Sequence, residues 1–156
     1  MTRPPETDRI FRAGRPADAP TIRSILVESN LSAPEVGNLE RVTHSRIGEV
    51  LTFVVEEYGQ VVGVFQWRNL GEEAEILDLA VHPNHRRQGH ATFLLRNSLQ
   101  HMSQSAAKKI FLEVRESNAA AIALYKKFGF QLSGRRPNYY RNPEESALLM
   151  NLSPPA

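Results

Sequence analysis

Six consecutive residues, Arg86-Arg87-Gln88-Gly89-His90-Ala91, carry the first chemical signal of this chain. They follow a short apolar run, Ile76 to Val81, that reads as a buried strand closed by the polar stretch around Pro83. From Gly89 onward a helical pattern begins, with Ala91, Leu94, Leu95, Leu99 and Met102 on one face. Small residues at 89 and 91 let a ligand approach the backbone. The first amides of a helix have no internal partner, and with the helix dipole they form an anion site suited to phosphate. Two arginines beside it can add charge-assisted contacts. The same residues also fit an ordinary strand-turn-helix joint with two solvated arginines. Neither G-x-G-x-x-G nor G-x-x-x-x-G-K-[ST] is present. What remains is [RQ]-x-x-G-x-[GA], met by Arg86, Gly89 and Ala91.

Proton chemistry has its own candidates. Glu113 stands inside Ile-Phe-Leu-Glu-Val, where alternation puts Ile110, Leu112 and Val114 on one face and Phe111 and Glu113 on the other. It is either a salt-bridged strand position or a general base tuned by partial burial. Asp78 interrupts the strand that leads into the anion loop and is its rival. Asn118 suits a helix N-cap or a contact to a ligand amide. Tyr125, two helical turns on, shares its face and is either core or a proton donor. His82 and His85 hint at a metal pair, but no third ligand follows in sequence, so a polar turn is the expectation and no metal is assigned.

The elements that must position these groups follow in chain order. A loose tail, 1–9, precedes a short strand from Ile10 to Arg15. Asp18 as N-cap and Pro20 in the first turn open a helix with Ile22, Ile25, Leu26 and Ser29 on one face. Segment 31–50 is the least readable; a short helix over Leu39 to Arg46 and a substrate-facing role are expected there. Leu51 to Glu57 and Val61 to Trp67 read as a hairpin about Tyr58-Gly59-Gln60, and Asn69 to Glu73 as a loop. A strand from Ile76 to Val81 and a helix from His90 to Gln104 come next. A strand from Lys109 to Val114 should lie parallel to the 76–81 strand because a helix joins them. A helix from Ala119 to Phe128 stops at Gly129. A strand starts at Phe130 to Leu132, Arg135 to Asn142 reads as a polar aromatic loop, and Ala147 to Leu152 is the last strand. The fold class is α/β (α+β), with a mixed, mostly antiparallel sheet, one parallel pair and helices on both faces, as one domain over 10–153 with a tail at 154–156.

Composition limits the functions available. The 156 residues include no cysteine, which excludes disulfides, thiolate metal sites and a cysteine nucleophile. Basic residues come as scattered pairs and the net charge is only +2, so a nucleic-acid partner is not expected. No stretch has the apolar length of a membrane span, and neither a secretory signal nor a membrane partner is expected. A cytoplasmic location is the expectation.

The block Leu112 to Phe130, LEVRESNAAAIALYKKFGF, resembles the second signature region of the GNAT (GCN5-related) N-acetyltransferases, in its ribosomal-protein alanine-acetylating (RimI) type. The 86–91 pattern resembles that family's acyl-CoA pyrophosphate loop. Arg136-Pro137-Asn138-Tyr139-Tyr140 also matches. The resemblance covers about Ile10 to Leu152, strongly from Asp78 onward. It implies that acetyl-CoA is the co-substrate, with Leu79, Ala80 and Val81 offering backbone groups to its pantetheine arm. Arg86 opens the loop, and Arg87, Gln88, Gly89, His90, Ala91 and Thr92 would wrap the pyrophosphate; Asn118 would bond near the pantetheine end. Glu113 matches the family's general base, Tyr125 its general acid, and Tyr139 and Tyr140 its peptide groove. Two departures are visible: Ser146, not an acidic residue, precedes Ala147, and segment 31–50 has no counterpart. The implied reaction is direct acetyl transfer to a primary amine, foremost a protein N-terminal α-amine such as that of a ribosomal protein, by a monomer or homodimer. Acetylation of a small-molecule amine and a catalytically silent acyl-CoA-binding module are the alternatives.

Overall fold

β-Branched and aromatic runs in the first half of the chain fold as an antiparallel meander, as their composition favours. The computed structural model describes residues 8–29 and 46–153. Its elements are β1 (Arg9–Ala13), α1 (Ala19–Glu28), β2 (Val50–Glu57), β3 (Gln60–Asn69), β4 (Glu73–Val81), α2 (His90–Met102), β5 (Lys109–Arg115), α3 (Ala119–Lys127), β6 (Gln131–Tyr140) and β7 (Glu145–Leu152). They build one seven-stranded sheet in the order β1-β2-β3-β4-β5-β7-β6. Only β4 and β5 pair in parallel; every other ladder is antiparallel. The fold class read from the sequence is thus the one observed.

Helices cover both faces. Leu94, Leu95 and Met102 of α2 and Tyr125 of α3 pack on Phe53, Val55, Phe65, Trp67, Ile76 and Leu112. On the opposite face Ile22, Ile25 and Leu26 of α1 pack on Val54, Val64 and Ala80. One irregularity decides which side chain faces which way. Trp67 pairs with Ile76 but Gln66 pairs with Asp78, so Leu77 is an extra residue in β4. This bulge flips the alternation. Ile76 and Leu79 both join the α2 side, and Asp78 turns to the side of Ala80.

Several boundaries differ from the sequence reading. β1 is Arg9–Ala13, and the chain turns into a short 3-10 turn at Pro16. Asp18 precedes α1 but does not cap it; its carboxylate is held by Arg12 at 2.7 Å and by the Arg15 amide at 2.7 Å. β4 begins at Glu73, because parallel pairing with β5 starts there. α2 ends at Met102. The largest correction is 135–142. Most of that stretch is not a loop: β6 continues to Tyr140, pairing with β7 across a register shift between Arg136 and Tyr140. Polar residues hid it, since an edge strand exposed to solvent carries no apolar alternation. The helix expected over 39–46 lies, save Arg46, outside the described residues, as do most of segment 31–50 and most of both tails.

The close approach of α2 to the sheet rests on Gly63 in β3. A Cβ there would lie 2.9 Å from Val55 Cγ1, 3.0 Å from Leu94 Cδ1 and 3.2 Å from the Ala80 carbonyl. Gly63→Ala should therefore lower the unfolding free energy by about 1–3 kcal/mol through overpacking. The urea midpoint measures it, and an unchanged midpoint would show that α2 can back away without cost.

Candidate active site

The parallel β4–β5 ladder runs only from Glu73↔Lys109 to Ile76↔Leu112. Beyond it β4 stays paired with β3 as far as Val81↔Gly63, and β5 with β7 as far as Arg115↔Ala147. The two central strands thus part company. A cleft of about 580 Å³ opens here, floored by Leu79, Ala80 and Val81 and walled by Asn118, Ala121 and Leu124 from α3. Its far end is the loop into α2, with Arg86, Arg87, Gly89, His90, Ala91 and Thr92. Arg87 and Gly89 both have left-handed backbones, with φ of 60° and 82°. Such conformations bend a backbone so that successive amides converge, an arrangement that binds anions. The free amides of the first turn of α2 lie beside them.

Of the residues expected to bind cofactor, all but Gln88 line this cleft. The Gln88 carbonyl is instead hydrogen-bonded by the Arg9 guanidinium, which also donates to the Gly89 carbonyl at 3.2 Å. Arg9 is buried, and it pins the carbonyl side of the loop. Arg86 is also tied to the protein: it donates to the Val81 carbonyl at 3.2 Å and to Ser29 Oγ at 3.4 Å. His90 is fully buried, its Nε2 3.1 Å from a carboxylate oxygen of Glu57. Only its backbone can serve the cleft's anion site. Arg9 and Glu57 escaped the sequence reading because charges at strand ends are ordinary. Asn118 caps α3, accepting from the Ala121 amide at 3.2 Å, and also borders the cleft.

A second cluster gathers the proton-handling candidates. Glu113 is half-buried and ion-paired with Arg136 at 3.5 Å. Tyr139 and Tyr140 stand at the end of β6 with rings 5.0 Å apart, edge to face. Arg136 lies over the Tyr139 ring at 5.6 Å and Arg115 over the Tyr140 ring at 4.4 Å. Hydrogen bonding to Glu113, more than burial, raises the Tyr139 phenol above its ordinary value. Burial pushes the Tyr140 phenol up to about 12, with Glu113 adding to it. Tyr125 is buried in the core against Phe130, ring centroids 5.5 Å apart, and does not line the cleft. Burial first, then the charges of Asp78 and Tyr140, hold its phenol far above the usual range. Burial also pushes the Asp78 carboxyl up to about 6. Glu75, raised mainly by burial, adds a third carboxylate and is bonded by Arg68 at 3.1 Å. The structure therefore gathers Glu113, Tyr139 and Tyr140 on one side, and couples Tyr125 to them through Tyr140 and Asp78.

Residues 20–130 match the Acetyltransferase (GNAT) family. The [ribosomal protein bS18]-alanine N-acetyltransferase of Escherichia coli is 34% identical over 116 residues, 72% of this chain and 78% of that protein. A Bacillus subtilis protein that carries the same description provisionally is 37% identical over 97 residues, 62% of this chain and just under two thirds, 64%, of its own length. Among solved structures, Ard1 from Thermoplasma volcanium aligns with a TM-score of 0.78 and 28% identity, covering 96% of this chain and 99% of that one. The family match and these relatives together show the class, an N-acetyltransferase. The chain belongs to the GNAT family.

Asp78 supplies a test of the site's electrostatics. Its folded pKa lies above its unfolded value near 3.8. The folded state therefore binds the extra proton between about pH 4 and 6, and stability is lost as pH rises through that window. Asp78→Asn removes the buried charge. It should raise stability at pH 8 by about 1–3 kcal/mol, with the gain vanishing near pH 4. Denaturation of both proteins at the two pH values checks this, and an equal difference at both would contradict it.

Proposed function

We propose that this protein transfers the acetyl group of acetyl-CoA directly to a free α-amine at the N-terminus of a protein, with a ribosomal protein beginning with a small residue as the foremost acceptor. The observation that carries the donor half is the end of the β4–β5 ladder at Ile76↔Leu112. The β4 backbone from Leu77 to Val81 then has no strand partner on the cleft side, so the amides and carbonyls that point there, apart from the Val81 carbonyl bonded by Arg86, are available to an amide-bearing arm threaded between the strands. The left-handed turn at Arg87 and Gly89 and the α2 amides suit the diphosphate at the arm's far end. Asn118 at the cleft wall suits the pantetheine end.

The acceptor half rests on the second cluster. Tyr139 and Tyr140 give an extended peptide apolar faces and hydroxyls together, and the carboxylates of Glu113, Asp78 and Glu75 attract a cationic amine. Glu113, directly or through a water, takes the proton from the ammonium, and the neutral nitrogen attacks the thioester carbonyl. The new C–N bond forms and the C–S bond breaks; Tyr125, from its place behind the cleft wall, gives a proton to the leaving thiolate through a water and is reprotonated by the second proton that the nitrogen sheds. Its raised pKa keeps that phenol protonated at neutral pH. An α-amine with pKa 7.7–8.0 is roughly a quarter neutral at pH 7.4, against about 0.1% for a lysine amine. One modestly placed carboxylate is thus enough for the former. No cysteine is present for an acyl-enzyme.

Two outcomes are expected. Glu113→Gln should lower kcat by roughly 10²–10⁴ while leaving acetyl-CoA affinity within about twofold of the wild type. Steady-state kinetics and calorimetry separate the two quantities. If Asp78→Asn is the crippling change and Glu113→Gln is mild, Asp78 is the base. The acceptor is tested with two peptides of one sequence that begin with Ala and contain one internal lysine, one free at its N-terminus and one blocked there. Acetylation of the first at its α-amine and almost none of the second is expected. Equal rates would show a lysine acetyltransferase, and turnover of a polyamine with inactivity on both peptides would move the acceptor to small amines.

A further inference from the structure

We propose that Glu57, His85 and His90 form a binding site for a divalent d-block cation of the zinc type, set beneath the loop that opens α2. Sequence order conceals the trio, since Glu57 ends β2 while the two histidines flank the Arg86–Gly89 turn. In the fold, Glu57 Oε2 lies 3.1 Å from His90 Nε2, and Glu57 Oε1 lies 4.0 Å from His85 Nδ1. All three ligand atoms fall within 4.8 Å of one another, the only such trio of histidine and acidic side chains among the described residues. Zinc at its usual bond lengths of about 2.0–2.2 Å holds tetrahedral ligands roughly 3.3 Å apart. Small side-chain rotations therefore close the site.

Two independent features favour a cation over a plain ion pair. Both ring nitrogens of His90 are buried, and neither makes a hydrogen bond of good geometry, although Glu57 is within reach. A buried polar atom left so is costly, and a metal at Nε2 satisfies it together with the Glu57 oxygen. The donor set, two imidazoles and one carboxylate, leaves one position open, and the half-exposed His85 side chain lies where water can reach it.

His85 and His90 both border the cleft. A cation between them and Glu57 would staple the anion-binding turn to the end of β2 and add positive charge beneath it. This inference does not depend on the acetyl acceptor or on acetyl transfer.

The experiment uses the full chain, freed of metal by chelation and titrated with Zn²⁺ by calorimetry, with Co²⁺ absorption as a spectroscopic reporter of ligand number. One equivalent per chain and a four- or five-coordinate cobalt spectrum are expected. His85→Ala and Glu57→Gln, each checked for folding by circular dichroism, should each weaken binding by at least about 100-fold. His82→Ala, which alters the half-exposed neighbour that faces Glu28 at 3.7 Å, should leave binding unchanged. Absence of binding to the wild-type protein overturns the proposal. So does retention of binding in either ligand variant, or its loss in His82→Ala. Should Glu57→Gln not fold, His85→Ala, which alters a half-exposed position, decides alone.

Discussion

Backbone amides and carbonyls in the middle of a sheet must find partners, and here the pairing between the two central strands stops halfway along. Everything that makes a site of this domain follows from that stop at Ile76↔Leu112. Because β4 remains tied to β3 and β5 to β7, the opening is held rigid from both sides. The loop after β4 then carries the chain up to α2, whose first-turn amides face the same opening. The close packing of α2, through Leu94, on Gly63 of β3 fixes how far that helix end can move.

A single extra residue links the two halves of the site. Without the bulge at Leu77, Asp78 would stay in phase with Ile76 and be driven into the core beneath α2. With it, Asp78 faces the same way as Ala80, and its charge reaches Tyr125. One face of the cleft region thus holds an anion-binding backbone, and the strands beside it hold carboxylates and phenols. In the proposed reaction, this separation would let a thioester approach from one side and an amine from the other without their charges interfering.

What could be read beforehand follows the physics of each signal. The β5 alternation, with Glu113 opposite Leu112 and Val114, was legible because both its faces are decided by burial. The α2 stripe was legible for the same reason, apart from the buried His90 and Ser98, which a polarity pattern assigns to solvent. The 86–91 turn was legible because left-handed backbones and small residues leave a trace in sequence. The bulge was not, since it depends on how β3 and β4 pair. Nor were Arg9 and Glu57, whose partners lie up to 80 residues away. β6 was lost for an opposite reason: Arg135, Arg136, Pro137 and Asn138 look like a loop, yet an edge strand tolerates them.

On the proposed reading, that edge position gives the acceptor side a different mechanical status from the donor side. Tyr139 and Tyr140 stand on a strand with one neighbour, almost every residue of which is open to solvent. Substitutions there touch little of the packed interior, whereas changes at β4, β5 or Gly63 strike the core. The protein can therefore explore new acceptors by altering its outermost strand while its donor machinery stays constant. Divergence of partner choice within such a scaffold is mechanically inexpensive, and it is concentrated where the sheet runs out.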